Sequence, residues 1–134
     1  MNQTCNWRRY LGLPHIFGAD PNDGIGADCV IMTWNVLAGA GQYTPPLDPA
    51  WFTQAEAGAW DELTAVYKSV TYELPVAEEY AVTLFNNGPI GVGLGVVVDG
   101  GLLMVHHKRG VCWAPTRLLK RLTYCRFRDG DAAV

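Results

Sequence analysis

A cysteine at the start of a helix is a thiol placed for nucleophilic attack, and Asp28-Cys29 carries the local signs of that arrangement. Upstream, Phe17-Gly18-Ala19-Asp20-Pro21-Asn22-Asp23-Gly24 is dense in turn formers. Downstream, Val30, Ile31, Trp34, Leu37 and Ala38 recur at helical spacing until Gly39-Ala40-Gly41 stops the run. Asp28 is a good N-cap, because its carboxylate can accept from the unpaired amides of the first turn. Capping, and not acid catalysis, is its expected role. Cys29 then occupies the first helical position, where the dipole and free N–H groups favour a thiolate. The competing reading is a thiol facing the core, since free cysteine is among the most buried residue types. A thiol nucleophile also needs a base, and the histidines are His15, His106 and His107.

Several elements must position these groups. Residues 2–11 read as a short helix with Trp7, Tyr10 and Leu11 as its apolar residues. Leu13-Pro14-His15-Ile16-Phe17-Gly18 is an extended entry into the turn-rich loop. After the Cys29 helix, Pro45-Pro46 excludes helix. Asp48-Pro49 then opens a helical stretch through Lys68, with a break expected near Gly58. Pro75 marks the switch to β structure. Residues 80–85 form a strand closed by Asn86-Asn87-Gly88-Pro89, and 92–98 and 102–106 form a hairpin joined by Asp99-Gly100-Gly101. A further strand is expected over 108–113 and a last helix or strand over 118–127. Helices followed by antiparallel strands predict an α+β fold, with the Cys29 helix packed on the sheet, in one domain spanning 1–134.

Composition narrows the function classes. The 134 residues are 49% hydrophobic and 17% charged, which is globular and not disordered. Residues 1–12 carry Arg8 and Arg9 but no apolar stretch of the signal-peptide type, and no run reaches membrane-spanning length. The chain is therefore expected to be made in a cytoplasm, without a membrane span. Cys5, Cys29, Cys112 and Cys125 show no paired spacing, so free thiols are expected and no cofactor is called for. Zinc held by Cys5, Cys112 or Cys125 with a histidine stays open, although nothing in the spacing asks for it. Charge is uneven: residues 1–107 hold three bases against eleven acids (−8), and 108–134 hold seven bases against two (+5). The basic segment either packs over the acidic body or docks on an acidic partner. Nucleic acid is not the expected partner, since no aromatic-basic binding motif stands out. Trp51, Trp60 and Trp113 are assigned to the core or to an interface, and no ligand-stacking role follows from their spacing. Gly88, Gly91, Gly93 and Gly95 precede a strand, which suits close backbone packing or a bulge and not a phosphate loop.

The order of segments resembles the NlpC/P60 family, papain-like cysteine peptidases that cut peptidoglycan stem peptides. Pro14-His15-Ile16-Phe17-Gly18 resembles the family's "PYxWGG" entry, and Gly26-Ala27-Asp28-Cys29 its "DCSG" nucleophile segment. Val82-Thr83-Leu84-Phe85 is similar to "GDLVLF", and Gly93-Leu94-Gly95-Val96-Val97-Val98-Asp99-Gly100 to "HVGIYLGDG". Leu103-Met104-Val105-His106-His107 resembles the "LHH" strand of phage tail-associated members, and Arg109-Gly110-Val111 their "GRLS" stretch. The resemblance spans roughly residues 5–120. It departs at three places: Val30-Ile31 replaces the Ser-Gly after the nucleophile, Tyr80-Ala81 replaces Gly-Asp, and Gly93 stands where the family has its catalytic histidine.

The resemblance implies a bacteriophage protein of the virion tail, at the tail tip or baseplate hub. Its fold would derive from a peptidoglycan endopeptidase and its present role would be mainly structural, with enzymatic activity left open. The alternative is an active peptidase in which Cys29 attacks the stem-peptide carbonyl. His106 or His15 would take the thiol proton, and backbone amides at the helix start would hold the oxyanion. His15 stands at a family position that lines the cleft, and His106 near one that orients the base. Strand alternation is expected to send His106 and His107 to opposite faces. In the structural role, Arg117, Lys120 and Arg121 are the candidate docking residues toward tail hub or baseplate proteins, and peptidoglycan is a partner only of the active form.

Overall fold

The computed structural model describes residues 6–129. Residues 7–10 form a 3-10 helix whose Trp7 and Tyr10 are buried. The long entry loop then leads to α1 (Cys29–Gly39). Asp28 caps it as expected, with an extended backbone and its Oδ1 accepting from Val30 N at 2.8 Å. The stretch opened by Asp48 divides into α2 (Ala50–Glu56) and α3 (Trp60–Val70), broken at residues 57–59. Gly58 supplies the left-handed conformation (φ +76°) that ends the first of them.

Six antiparallel strands follow: β1 (Thr71–Glu73), β2 (Val82–Asn86), β3 (Val92–Val98), β4 (Gly101–His106), β5 (Gly110–Pro115) and β6 (Cys125–Phe127). Their order in the sheet is β1-β6-β2-β3-β4-β5. The β3–β4 turn places Asp99 (φ +52°) and Gly100 (φ +76°) in the left-handed region, the signature of a tight hairpin. The fold is α+β, and no helix among the described residues is long and apolar enough to cross a membrane.

The sheet has two covered faces. On the front, Met32, Val36 and Leu37 of α1 pack with Val82, Leu94, Val96, Leu103 and Val105, and Tyr67 and Val70 of α3 join them. On the back, Ala81, Val97, Leu102 and Met104 are covered by Leu74 and Ala77 and by Leu119, Leu122 and Tyr124. Residues 118–127 thus contribute neither an α-helix nor a full strand; after the 3-10 turn Thr116–Leu118 the chain crosses the back of the sheet, and only Cys125–Phe127 pairs. Both β1 and β6 are three residues long, too short for period-two alternation to mark in sequence.

The glycines before and in β3 pack closely. A Cβ on Gly91 would lie 2.1 Å from Cε2 of Trp60, and one on Gly95 would lie 2.8 Å from Cδ1 of Leu102. Bare backbone at 91 lets α3 lie against the sheet, which closes one wall of the site.

Candidate functional site

Cys29 opens into a cavity between the front of the sheet and the α2–α3 pair. Trp34, Trp51, Trp60, Tyr67 and Phe127 form most of its aromatic wall, and Leu84 and Leu94 its floor. Its polar groups are few: His15, Asp28, Cys29, Thr64 and Asn87. Trp51 and Trp60, read from sequence as core or interface residues, therefore line the site. The α2–α3 roof had no signature beyond its helical periodicity.

The Cys29 residue is half-buried and its thiol is enclosed. Burial, and secondarily the Asp28 carboxylate, pushes the thiol up to about 12, while nearby backbone of Leu94, Val30 and Cys29 itself pulls weakly the other way. This reverses the thiolate expected at a helix start: burial is the larger cause, and the capping carboxylate adds to it. Asp28 is buried and its carboxylate accepts from Val30 N and from Gly18 N at 2.9 Å. The Val30 amide, which also favours a thiolate at Cys29, is shared with a neighbouring carboxylate.

Asp28 itself is pushed above the usual carboxylate range by burial, against the hydrogen bonds from Gly18, Val30 and Ile31 and the pull of His15. The folded protein therefore binds this proton more tightly than the unfolded chain. Asp28's contribution is fully present below the unfolded value and is lost as pH rises through the folded one. Asp28→Asn keeps an acceptor for Val30 N and removes that titration. Urea unfolding over roughly pH 3 to 6 should show a flatter stability profile for the variant than for the parent. Identical profiles would refute the assignment.

The histidines separate. His15 lines the cavity with Cys29 and Asp28, held by a parallel bridge between its backbone and Ala27. Its ring meets Phe17 edge-on at 4.5 Å. Burial lowers its pKa, with Asp28 pulling it back up. Among the described residues, no hydrogen bond joins an imidazole to Cys29. His106 lies outside the cavity. It ends β4 in step with Leu102 and Met104 of the back cluster, and its Nδ1 accepts from Lys108 N (3.1 Å) and Arg109 N (3.3 Å). The expected split of His106 and His107 to opposite faces does not occur. The strand ends at 106, alternation ends with it, and the two rings stack at 4.4 Å.

Gly93 lines the cavity with its backbone, but a side chain there would leave it. In the register Phe85↔Gly93 and Leu84↔Leu94, a Cβ at 93 would meet the Phe85 ring at 2.3 Å, on the back face. The β3 residue directed at the α1 side is Leu94, buried in the front cluster. A side chain at 93 would point away from Cys29, and the residue that does face α1 cannot take a proton.

Asn87 is the polar residue that sequence reasoning missed, hidden in an apparent turn. It is buried and lines the cavity. Its Nδ2 donates to Val105 O at 2.9 Å, and its Oδ1 accepts from His107 N at 2.9 Å and lies 3.2 Å from His107 Nδ1. With that oxygen an acceptor, the contact suits a proton on His107 Nδ1. The Asn-Asn-Gly-Pro run was the available signal, but in sequence it is indistinguishable from a surface turn.

The docking candidates are all on the surface. Arg117, Lys120 and Arg121 are exposed, and none forms an ion pair among the described residues. Arg126 and Arg128 instead serve the fold. Arg126 bonds Gln42 and Glu79 O and lies 3.7 Å from Glu78, while Arg128 donates to Thr71 O. Arg126 and Arg128 thus take the intramolecular role expected for part of the basic segment. No group of three or more His, Cys, Asp or Glu among the described residues is arranged to hold a metal ion, and Cys5 lies outside them. No protein-family model matches the chain, and no curated protein matches it at a significant level.

Proposed function

We propose that the chain is a structural component of a bacteriophage tail tip or baseplate hub, built on an NlpC/P60-like fold whose peptidase chemistry has been lost. One observation carries the reading: Cys29 sits at the helix start the resemblance requires, yet Leu94 faces it from β3 and no imidazole bonds its thiol. The order of elements supports the ancestry, with a capped cysteine helix packed on an antiparallel β3–β4–β5 meander. The unpaired corner of Arg117, Lys120 and Arg121 supports attachment to an acidic tail protein. The site belongs to the virion tail, and the chain is made in the host cytoplasm.

A second reading, an active endopeptidase, is favoured by one fact: His15 shares the cavity with Cys29. Phage carrying Cys29→Ala should keep full infectivity, and the purified chain should leave purified peptidoglycan uncut. Combined reversal of Arg117, Lys120 and Arg121 to glutamate should block incorporation into virions. Cleavage of peptidoglycan that disappears with Cys29→Ala would replace the structural reading with the enzymatic one.

A further inference from the structure

The basic corner has a counterpart on the same molecule that it cannot reach. Arg117, Lys120 and Arg121 flank Leu118, which is 60% exposed, in and just after the turn that follows β5. That turn is tied to the β3–β4 hairpin tip, where Thr116 N donates to Gly100 O. It is anchored on the back face by Leu119 and Leu122. Three carboxylates flank the α2–α3 break: Glu56 at the end of α2, and Asp61 and Glu62 in the first turn of α3. All three are exposed. That corner is fixed at the other end of β3, because Trp60 lies against Gly91, and on the front face, because Tyr67 and Val70 pack there. Among the described residues, none of the six charged side chains makes an ion pair or a side-chain hydrogen bond.

The seven residues of β3 separate the corners by about 20 Å, in addition to the thickness of the sheet. At physiological salt the Debye length is about 8 Å, so the two groups hardly sense each other within one chain. A second copy can bring them into contact.

We infer that the chain associates with itself, the Arg117–Leu118–Lys120–Arg121 corner of one copy docking on the Glu56–Asp61–Glu62 corner of the next. The inference rests on reading the basic corner as a docking surface and names its acidic partner. The two patches differ, so the contact is heterologous: each copy keeps one free corner of each kind, and the contact repeats until it closes a ring or grows a filament. A closed ring suits the axis of a tail.

Light scattering or sedimentation on the whole chain tests this. In about 10 mM salt, where the Debye length is about 30 Å, the average mass should exceed the 14.7 kDa monomer and rise with concentration. In about 1 M salt it should return to the monomer. The triple variants R117E/K120E/R121E and E56K/D61K/E62K should each stay monomeric in low salt. An equimolar mixture of the two should associate again, since each reversed corner finds an opposite on the other variant. A wild type that is monomeric throughout, variants that associate like the wild type, or a mixture that stays monomeric would each overturn the inference. If the wild type is monomeric while the basic triple variant still fails to enter virions, self-contact is refuted and docking of that corner on another tail protein stands.

Discussion

At neutral pH, iodoacetamide is expected to modify Cys29 about a thousandfold more slowly than an ordinary free thiol. The reactive species is the thiolate. A shift from the ordinary value of 9.0 to about 12 lowers its fraction by about three powers of ten at any pH below both values. The enclosing walls slow the reagent further. Mass spectrometry of the Cys29 peptide against pH separates Cys29 from the other cysteines and should give a midpoint far above pH 9. Asp28→Asn should lower that midpoint by removing the neighbouring carboxylate, yet leave it raised, because burial is the larger cause. A midpoint below pH 8 would mean that the helix start or a nearby imidazolium outweighs burial at the sulfur. His15 is the imidazole in that cavity, so the structural reading would then have to face the cleavage test.

Gly110→Ala is expected to cost more than about 3 kcal/mol of stability, among the larger effects a single substitution produces. Gly110 has φ +70°, a conformation that costs a residue with a Cβ about 1–2 kcal/mol. The added atom would also lie 2.2 Å from the carbonyl oxygen of Leu13, which is backbone and cannot rotate away. Leu13 is held there by both neighbouring ladder bonds, Gly12 N to Val111 O and Val111 N to Leu13 O. Relief requires separating the 12–13 segment from β5, and that segment leads directly into Pro14 and His15. Urea unfolding should show a much lower midpoint, with the cavity wall at His15 displaced. Gly100→Ala is the control, because its Cβ would meet nothing within 4 Å although its φ is +76°. Equal losses at the two positions would mean that conformation alone, and not the Leu13 contact, sets the cost.

What could be read from sequence was mostly local. The Asp28 cap, the extent of α1, the β3–β4 hairpin and the close packing at Gly91 each depend on a few adjacent residues and a known preference. The misplacement of His107 and the direction a side chain would take at 93 depend on which face a residue takes, and that is set by register and by where a strand ends. Leu94 and Gly93 are adjacent in sequence but lie on opposite sides of the sheet. A single residue of register decides which one meets α1. The raised Cys29 thiol required knowing that α2 and α3 fold back over it. Asn87 looked like turn chemistry because its buried partners, Val105 and His107, are 18 and 20 residues away.

The place of Leu94 in the front core has a consequence for reversion. On the peptidase ancestry we propose, regaining a base at the aligned position 93 would gain nothing, since a side chain there runs into Phe85 behind the sheet. A histidine at 94 would have to occupy a site that is 6% exposed and packed on α1, where an imidazole costs core stability before any activity returns. The first step back is a loss, and this makes the change behave as a ratchet.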